Sequence, residues 1–478
     1  MAERNVVVIV ADTWRDQRPL QGNQPSLMPF LDEFARDGLA FDHLMASSSW
    51  TAPSHVSLLK GADPWETHFH VPGAGRRAPT TESLADRWSK MGGVSAGFSA
   101  NFLVHPQLGT ATGYTRFNPG FPAGLAGVVQ LGCTLVGYER ILYNGLGGAG
   151  RAPSGSLARA RASLVRGAGT GLYKSVNSMR TGETLLRGLG RFLRHRPTQA
   201  APPLHLFCNI VEAHEPYLVG QNGGLPGAPI TPGHLPSINF ARFNDLLVSR
   251  QQPDPFLQAY RTSLTSADNV FRNMIGLLRR HGILDNAVLL FVSDHGQNLG
   301  EHNFYGHGFY VYDELVKVPG YLWEFRDGRP VHLEPPEPEW FDHRHLFDLL
   351  ASAVPDGAPL DVPGTLSGSL LRRGPASSYY EGPGMRAPDG LVFKPTRPPT
   401  YRILRVQRGN ETSVLRSDLQ GGNVVVDSAE SPDAPSDELA EIARHVLTKE
   451  IASAKASTGA TTEMDSQVDA RLKSWGYD

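Results

Sequence analysis

Val6 to Val10 is an unbroken apolar, mostly β-branched run that ends in Ala11-Asp12, and this pattern recurs along the chain. A strand apolar on both faces must be covered on both faces, which is the condition of a central strand in a parallel α/β sheet. Such sheets bind ligands beyond the carboxyl ends of their strands. Ala287 to Val292 repeats the pattern before Ser293-Asp294-His295, and the strand Leu204 to Ile210 precedes Val211-Glu212-Ala213-His214. Strand Val94 to Ser99 stands before Asn101. Helices are expected between these strands over Leu27–Gly38, from Pro53 to Leu59, over Glu82–Met91, Glu183–His195 and about Phe256–Arg280. In the last, Tyr260, Leu264, Ala267, Phe271, Met274, Ile275 and Leu278 share one face, a structural stripe.

At 478 residues the chain exceeds a single small core, so one large α/β domain with a smaller appendage is expected. The spacing divides it into a catalytic domain over 1–373, a small α+β subdomain over 374–457, and a tail over 458–478. The appendage is expected to hold short strands at Tyr401–Val406, Ser413–Leu415 and Asn423–Asp427 and a helix capped by Ser436. Residues 118–171, low in acids and rich in Gly, Ala and Arg, read as a loop or cap inserted over the site. Asn222–Ser237 and Gly374–Pro399 read as Pro/Gly-rich loops.

A net charge of −2 gives no global attraction for nucleic acid or a membrane. Ten Arg and Lys against one acid between Arg151 and Arg196 form a local basic stretch, read mainly as a solvated surface. Cys133 and Cys208 exclude a disulfide framework and are read as two free buried thiols. No charged leader with a long apolar core precedes Val6, and no run nears the ~20 apolar residues that span a bilayer. The expectation is a cytoplasmic protein acting on a small molecule.

Asp12 stands at a strand end, where a hard cation could sit. Asp294 and His295 supply an oxygen and a nitrogen ligand side by side, a mixture suited to a divalent ion. His302 and His307 follow within fourteen residues of Asp294. Ser49-Trp50-Thr51-Ala52-Pro53 is a loop entering a helix with proline in its first turn, which puts Thr51 near free N–H groups that favour an anion.

Five separated blocks carry a resemblance. IVADTWRDQ, MPFLDEFARDGLAFDHLMASSSWTAPSHVSLLKG, TESLADRW with VSAGFSANFL, LFCNIVEAHEPY and LFVSDHGQNLGEHNFYGHGFYVYDELVKVP together resemble the sulfatase family of the alkaline-phosphatase superfamily. The resemblance implies a central mixed, mostly parallel sheet flanked by helices. It implies metal ligands at Asp12, Asp294 and His295, with Thr51 as nucleophile and also a ligand. His214 and His307 would then hold or protonate ester oxygens, and His55, Asn101 and His302 would meet substrate. One divalent ion per chain is expected, among zinc, manganese, magnesium and calcium.

Three positions depart from the family pattern. Thr51 stands where sulfatases keep a Cys or Ser that is oxidised to formylglycine, and His55 fills the arginine slot of that motif. Thr13 replaces a second aspartate. Threonine would yield a ketone rather than an aldehyde, so the expected activity is hydrolysis or transfer of a phosphate ester through a phospho-threonine. A sulfatase that does without formylglycine is the alternative, and a non-catalytic binder of anions or nucleic acid is a third.

Overall fold

The computed structural model describes residues 4–16, 25–63, 65, 81–101, 103–106, 109–118, 182–196, 202–214, 254–303, 305–308, 310–333, 340–352, 376–382, 401–408, 410–418, 424–426, 439–441, 443–445 and 447–448. Cys133, most of the 118–171 insertion, the basic stretch before residue 182, the Asn222–Ser237 loop and the 458–478 tail lie outside them.

In chain order the strands of the larger part are β1 (Asn5–Ala11), β2 (Leu39–Ala40), β3 (Leu44–Met45), β4 (Val94–Ser99), β5 (Arg116–Asn118) and β6 (Leu204–Ile210). They continue with β7 (Asn286–Ser293), β8 (Asn298–Leu299), β9 (Tyr305–Gly306), β10 (Gly320–Arg326), β11 (Arg329–Val331) and β12 (Phe341–Asp342). The main sheet runs β11-β10-β7-β1-β6-β4-β5, with β2 pairing β10. From β7 to β5 every pairing is parallel; β10 joins β7 antiparallel. The sheet is therefore mixed and mostly parallel, as the apolar runs require. The β10–β11 hairpin turns on Asp327-Gly328, both with positive φ, the tight turn that this dipeptide favours.

Side-chain alternation along β1 assigns the two layers. Val7, Ile9 and Ala11 face a core with helices Pro29–Phe34, Gly182–Arg194 and Asp254–Arg280, where Phe271 stacks on Phe291 with centroids 4.2 Å apart. Val6, Val8 and Val10 face the opposite core, under helices Thr51–Lys60, Leu84–Lys90 and His343–Ser352. Continuing the alternation one step past each strand turns Asp12, Asn101 and Asp294 toward this second face. The period of two thus aims these side chains at the layer that contains Thr51.

Helix Leu84–Lys90 begins with a capping box in which Ser83 and Asp86 each accept from the other's backbone N–H. The stripe expected on the long helix is buried throughout, from Tyr260 to Leu278. Cys208 is a free, buried thiol. Among the described residues no helix is long and apolar enough to cross a membrane.

A separate four-stranded antiparallel sheet runs β13 (Ala376–Gly382), β14 (Tyr401–Arg408), β15 (Glu411–Asp418) and β16 (Val424–Val426). β13 corrects the loop expected from Gly374: although followed by Pro and Gly, Ala376–Gly382 pairs with β14 along its whole length. Leu404, Val406 and Leu415 pack on Leu439, Ala443 and Leu447 of the following helical turn.

This sheet is tied to β12, which pairs with β3 in a separate two-stranded sheet, through a buried ion cluster. Asp342 accepts from the Ser377 amide at 3.0 Å and pairs with Arg344 and His345, and Arg344 also meets Asp63. Burial alone would raise the Asp342 pKa, but the Arg344 guanidinium and His345 hold it well below the usual carboxylate range. Its contribution to stability is therefore full above the ordinary aspartate pKa of about 3.9 and is lost as pH falls below it. Asp342→Asn should cost about 3–5 kcal/mol of unfolding free energy at neutral pH. Urea titrations on both sides of that pKa should show the gap narrowing in acid; a gap that stays constant or widens contradicts the assignment.

Candidate metal centre and nucleophile

Asp12 leaves β1 with its amide still bonded to the Ile210 carbonyl, 2.9 Å away, so the ladder holds it at the sheet's end. Asp294 and His295 leave β7, one strand over. The ligand atoms of Asp12, Asp294 and His295 lie within 4.8 Å of one another, and all three residues are fully buried.

Most polar atoms of the cluster are spoken for, which shows what is left over. Asp294 Oδ1 accepts from the Thr13 amide at 3.1 Å and the His295 amide at 2.8 Å. Asp12 Oδ2 accepts from Asn101 Nδ2 at 2.6 Å. His295 Nδ1 lies 2.9 Å from the Gly296 carbonyl, which can only accept, so Nδ1 carries the proton and Nε2 presents a lone pair. That Nε2 faces Asp294 Oδ2 at 3.4 Å and Asp12 Oδ1 at 3.9 Å. Asp12 Oδ1 and Asp294 Oδ2 are buried without a hydrogen-bond partner. Two orphaned carboxylate oxygens converging with an imidazole lone pair form a donor set that fits a divalent cation.

The electrostatics agree. Burial and then the Asp12 charge push Asp294 well above the usual carboxylate range. Burial opposes ionisation of Asp12 too, but His214, His295, His55 and the Asn101 amide outweigh it and bring its pKa down. The two carboxylates are thus pushed in opposite directions by one another's neighbourhood, the strain that a cation between them would relieve. Burial holds His295 neutral, with a pKa lowered to about 4.

Thr51 opens helix Thr51–Lys60, after Trp50 in extended conformation. Its Oγ1 lies 3.3 Å from His295 Nε2, and the N-terminal end of the helix dipole is directed at the cluster. His55 is corrected as a substrate contact. One helical turn on, its Nδ1 donates to the Thr51 carbonyl at 2.9 Å and its Nε2 accepts from Asn209 Nδ2 at 3.2 Å, so both ring nitrogens are used beneath Thr51. Burial keeps it neutral.

Thr13 ties three strand ends together. At φ 59° it occupies the left-handed region, uncommon for a β-branched residue. Its amide reaches Asp294, its hydroxyl lies 2.6 Å from the Ala213 carbonyl, and its own carbonyl accepts from the Tyr260 hydroxyl at 2.8 Å. Gly296 is fixed by close approach: a Cβ there would come within 2.0 Å of the Glu314 carbonyl, on which the turn docks.

His307 and His214 border the cluster. The His307 ring centroid lies 4.5 Å from His295 and 5.0 Å from His214, and its Nδ1 contacts Gln297 Oε1 at 2.8 Å. Both are half-buried. Burial, His295 and His214 hold the His307 pKa well below the imidazole range. Asn101 lies against Asp12, with its carbonyl taken by the Leu103 amide. His302 is the second correction. It is exposed, stacks on Tyr312 at 3.7 Å and meets Glu314 at 3.2 Å, because the 3₁₀ turn at Glu301–Asn303 carries it outward.

Comparison with known proteins shows the family to which the chain belongs. The Sulfatase family model matches residues 4–145 and 229–334, more than half of the chain. An arylsulfatase of Clostridium perfringens is 35% identical over 116 residues, 24% of this chain and 23% of that protein. A phosphatidylethanolamine transferase of Escherichia coli is 29% identical over 91 residues, 18% of this chain and 17% of that protein. The chain thus spans about a quarter or less of the length of these curated relatives. In fold it is similar to a phosphonate monoester hydrolase from Silicibacter pomeroyi, with TM-score 0.53 and 16% identity over 94% of this chain and 95% of that one. It is likewise similar to a 2-O GAG sulfatase, with TM-score 0.53 and 15% identity over 96% and 94%.

A site built for a cation should cost stability when the cation is withheld. In chelator-treated protein, Asp294→Asn should raise unfolding free energy by about 1–3 kcal/mol, the scale of an unsatisfied buried polar group. The same variant should lose the rise in melting temperature that zinc or manganese gives the wild type. Equal cation-induced shifts in the two proteins would remove Asp294 from the donor set.

Proposed function

Since this chain belongs to the sulfatase family, we propose that it is a metal-dependent hydrolase or transferase of phosphate esters with Thr51 as the nucleophile. The observation that carries the proposal is the Thr51 hydroxyl at 3.3 Å from His295 Nε2, beside two orphaned carboxylate oxygens. Asp12, Asp294 and His295 would hold the cation, with the Thr51 hydroxyl completing the set. A bound divalent cation there would neutralise ester oxygens and lower the pKa of the threonine hydroxyl.

The protein's own groups supply the rest. His295 is locked in one tautomer by the Gly296 carbonyl, and Asp294 by two backbone amides, so the donors need no reorganisation. Thr51 Oγ1 gives up its proton to solvent water and attacks phosphorus in line; the Oγ1–P bond forms as the bond from phosphorus to the ester oxygen breaks. The alkoxide that leaves needs a proton, and His214 and His307 are the imidazoles placed at the rim. We assign the donor role to His214, and to His307 a hold on an ester oxygen. Water or an acceptor alcohol then attacks the phospho-threonine, giving hydrolysis or transfer.

Phosphate is favoured over sulfate by the nucleophile. A secondary alcohol cannot be oxidised to the formylglycine aldehyde, while a neutral His55 stands where that maturation motif carries arginine.

Thr51→Ala should abolish turnover of aryl phosphate, phosphodiester and phosphonate esters assayed with zinc, manganese, magnesium or calcium. Acid-quenched wild-type turnover should show one phosphoryl group on the peptide containing Thr51. Turnover of sulfate esters alone, with no adduct, overturns the proposal. His214→Ala should slow alkyl esters about 100- to 10,000-fold, the range of general acid catalysis, yet slow nitrophenyl esters far less because their leaving group needs no proton. Equal losses on both would deny His214 that role.

A further inference from the structure

His343 lies outside the ligand set, yet its ring joins the two segments that carry the chemistry. β12 runs parallel to β3, with Phe341 opposite Leu44 and Asp342 opposite Met45, so the chain leaves both strands side by side. The first residue beyond β12 is His343, fully buried. Its Nδ1 accepts the Ser47 amide at 3.3 Å, and its Nε2 donates to the Ser293 carbonyl at 2.9 Å. Ser47 lies in the loop that leads into Thr51, and Ser293 immediately precedes Asp294.

The partners dictate the ring's chemistry. An amide can only donate and a carbonyl can only accept, so Nε2 carries the proton, Nδ1 the lone pair, and the ring is neutral. Burial agrees, lowering its pKa to about 4.

Both ends of this bridge are stiff. The turn that carries His343 is pinned by Asp342, which accepts from the Arg344 amide at 2.9 Å and meets His345 at 3.1 Å. On the loop side, the Ser54 hydroxyl donates to the Ser48 carbonyl at 2.8 Å and accepts the Ser48 amide at 3.2 Å. The loop is thus fixed at Ser47 and Ser48, and a shift at Ser47 reaches Thr51 through three residues.

We infer that His343 is a positioning residue that holds the nucleophile loop in place through the Ser47 amide, from a turn already pinned by Asp342. The inference rests on the reading of Thr51 as nucleophile. It makes the Ser47 bond the one that matters for the attack geometry, since misplacing a reacting atom costs rate more than binding.

The test uses the full chain and three variants. His343→Asn keeps an acceptor where Nδ1 stands, His343→Gln keeps a donor where Nε2 stands, and His343→Leu keeps neither. With manganese and an aryl phosphate, His343→Leu and His343→Gln should lose kcat by about 10–100-fold, as outer partners of a site do, with KM within about twofold. His343→Asn should recover most of that loss. Amide hydrogen exchange in the peptide over residues 46–51 should quicken in the Leu and Gln variants and stay near wild type in Asn. Wild-type kcat in His343→Leu, or equal losses in Asn and Gln, overturns the inference; if the Leu variant does not fold, the Asn and Gln pair decides. A wild-type chain inactive on every ester sinks the functional reading, and exchange over 46–51 alone then decides whether His343 holds the loop.

Discussion

Two carboxylates withdrawn from water and turned toward each other are unstable unless something positive joins them. Asp12 and Asp294 are in that position, each fully buried with one oxygen unpartnered. Desolvation of two like charges costs several kcal/mol per ion before their mutual repulsion is counted. A chain retains such an arrangement where the missing charge arrives with function. The surrounding polar groups are consistent with this: the Asn101 side-chain amide fixes Asp12, two backbone amides fix Asp294, and a helix N-terminus lies beside them. The site is therefore poised for a cation without containing a fixed one, since the nearest rings, His55 and His295, are held unprotonated by burial.

Holding these charges in register falls to Thr13 and to the sheet. Parallel strands end together at one edge, and the two-residue period sends Asp12, Asn101 and Asp294 to the same face. Hydrogen-bond ladders place the backbones, but beyond the last rung each chain needs another restraint. Thr13 supplies it by bonding β7's extension through its amide and β6's extension through its hydroxyl. The left-handed conformation that makes both bonds possible costs on the order of 1–3 kcal/mol, a strain the four partners of this residue can offset.

What the sequence disclosed follows from where physical signals are local. Strands β1 and β7 were legible because full burial on both faces leaves an uninterrupted apolar run, and β4 and β6 because they alternate with the helices between them. The long helix was legible because one face repeats through it. Asp12, Thr51, Asp294 and His295 were legible because strand ends and a loop before proline are special positions. β10 escaped notice although Asp327-Gly328 marks its hairpin, a signal that could have found it. His55 and His302 were misplaced for a different reason. The direction of a ring depends on tertiary partners, Asn209 in one case, Tyr312 and Glu314 in the other, which no local pattern encodes. His343 was invisible on the same grounds: it lies some fifty residues past β7 and acquires meaning only when β12 lies beside β3.

The departures from the sulfatase pattern can be understood as one change in charge rather than three unrelated substitutions. Replacing an aspartate by Thr13 removes a negative charge next to the candidate cation site, and replacing an arginine by His55 removes a positive one beneath Thr51. Since His55 is neutral, the two losses cancel and the net charge of the site stays the same. What changes is the field's shape: fewer opposed charges lie close together, and the Thr51 hydroxyl is flanked by a neutral ring on one side and the ligand cluster on the other. A neutral ring tied to the Thr51 carbonyl fixes the position of that residue without adding charge.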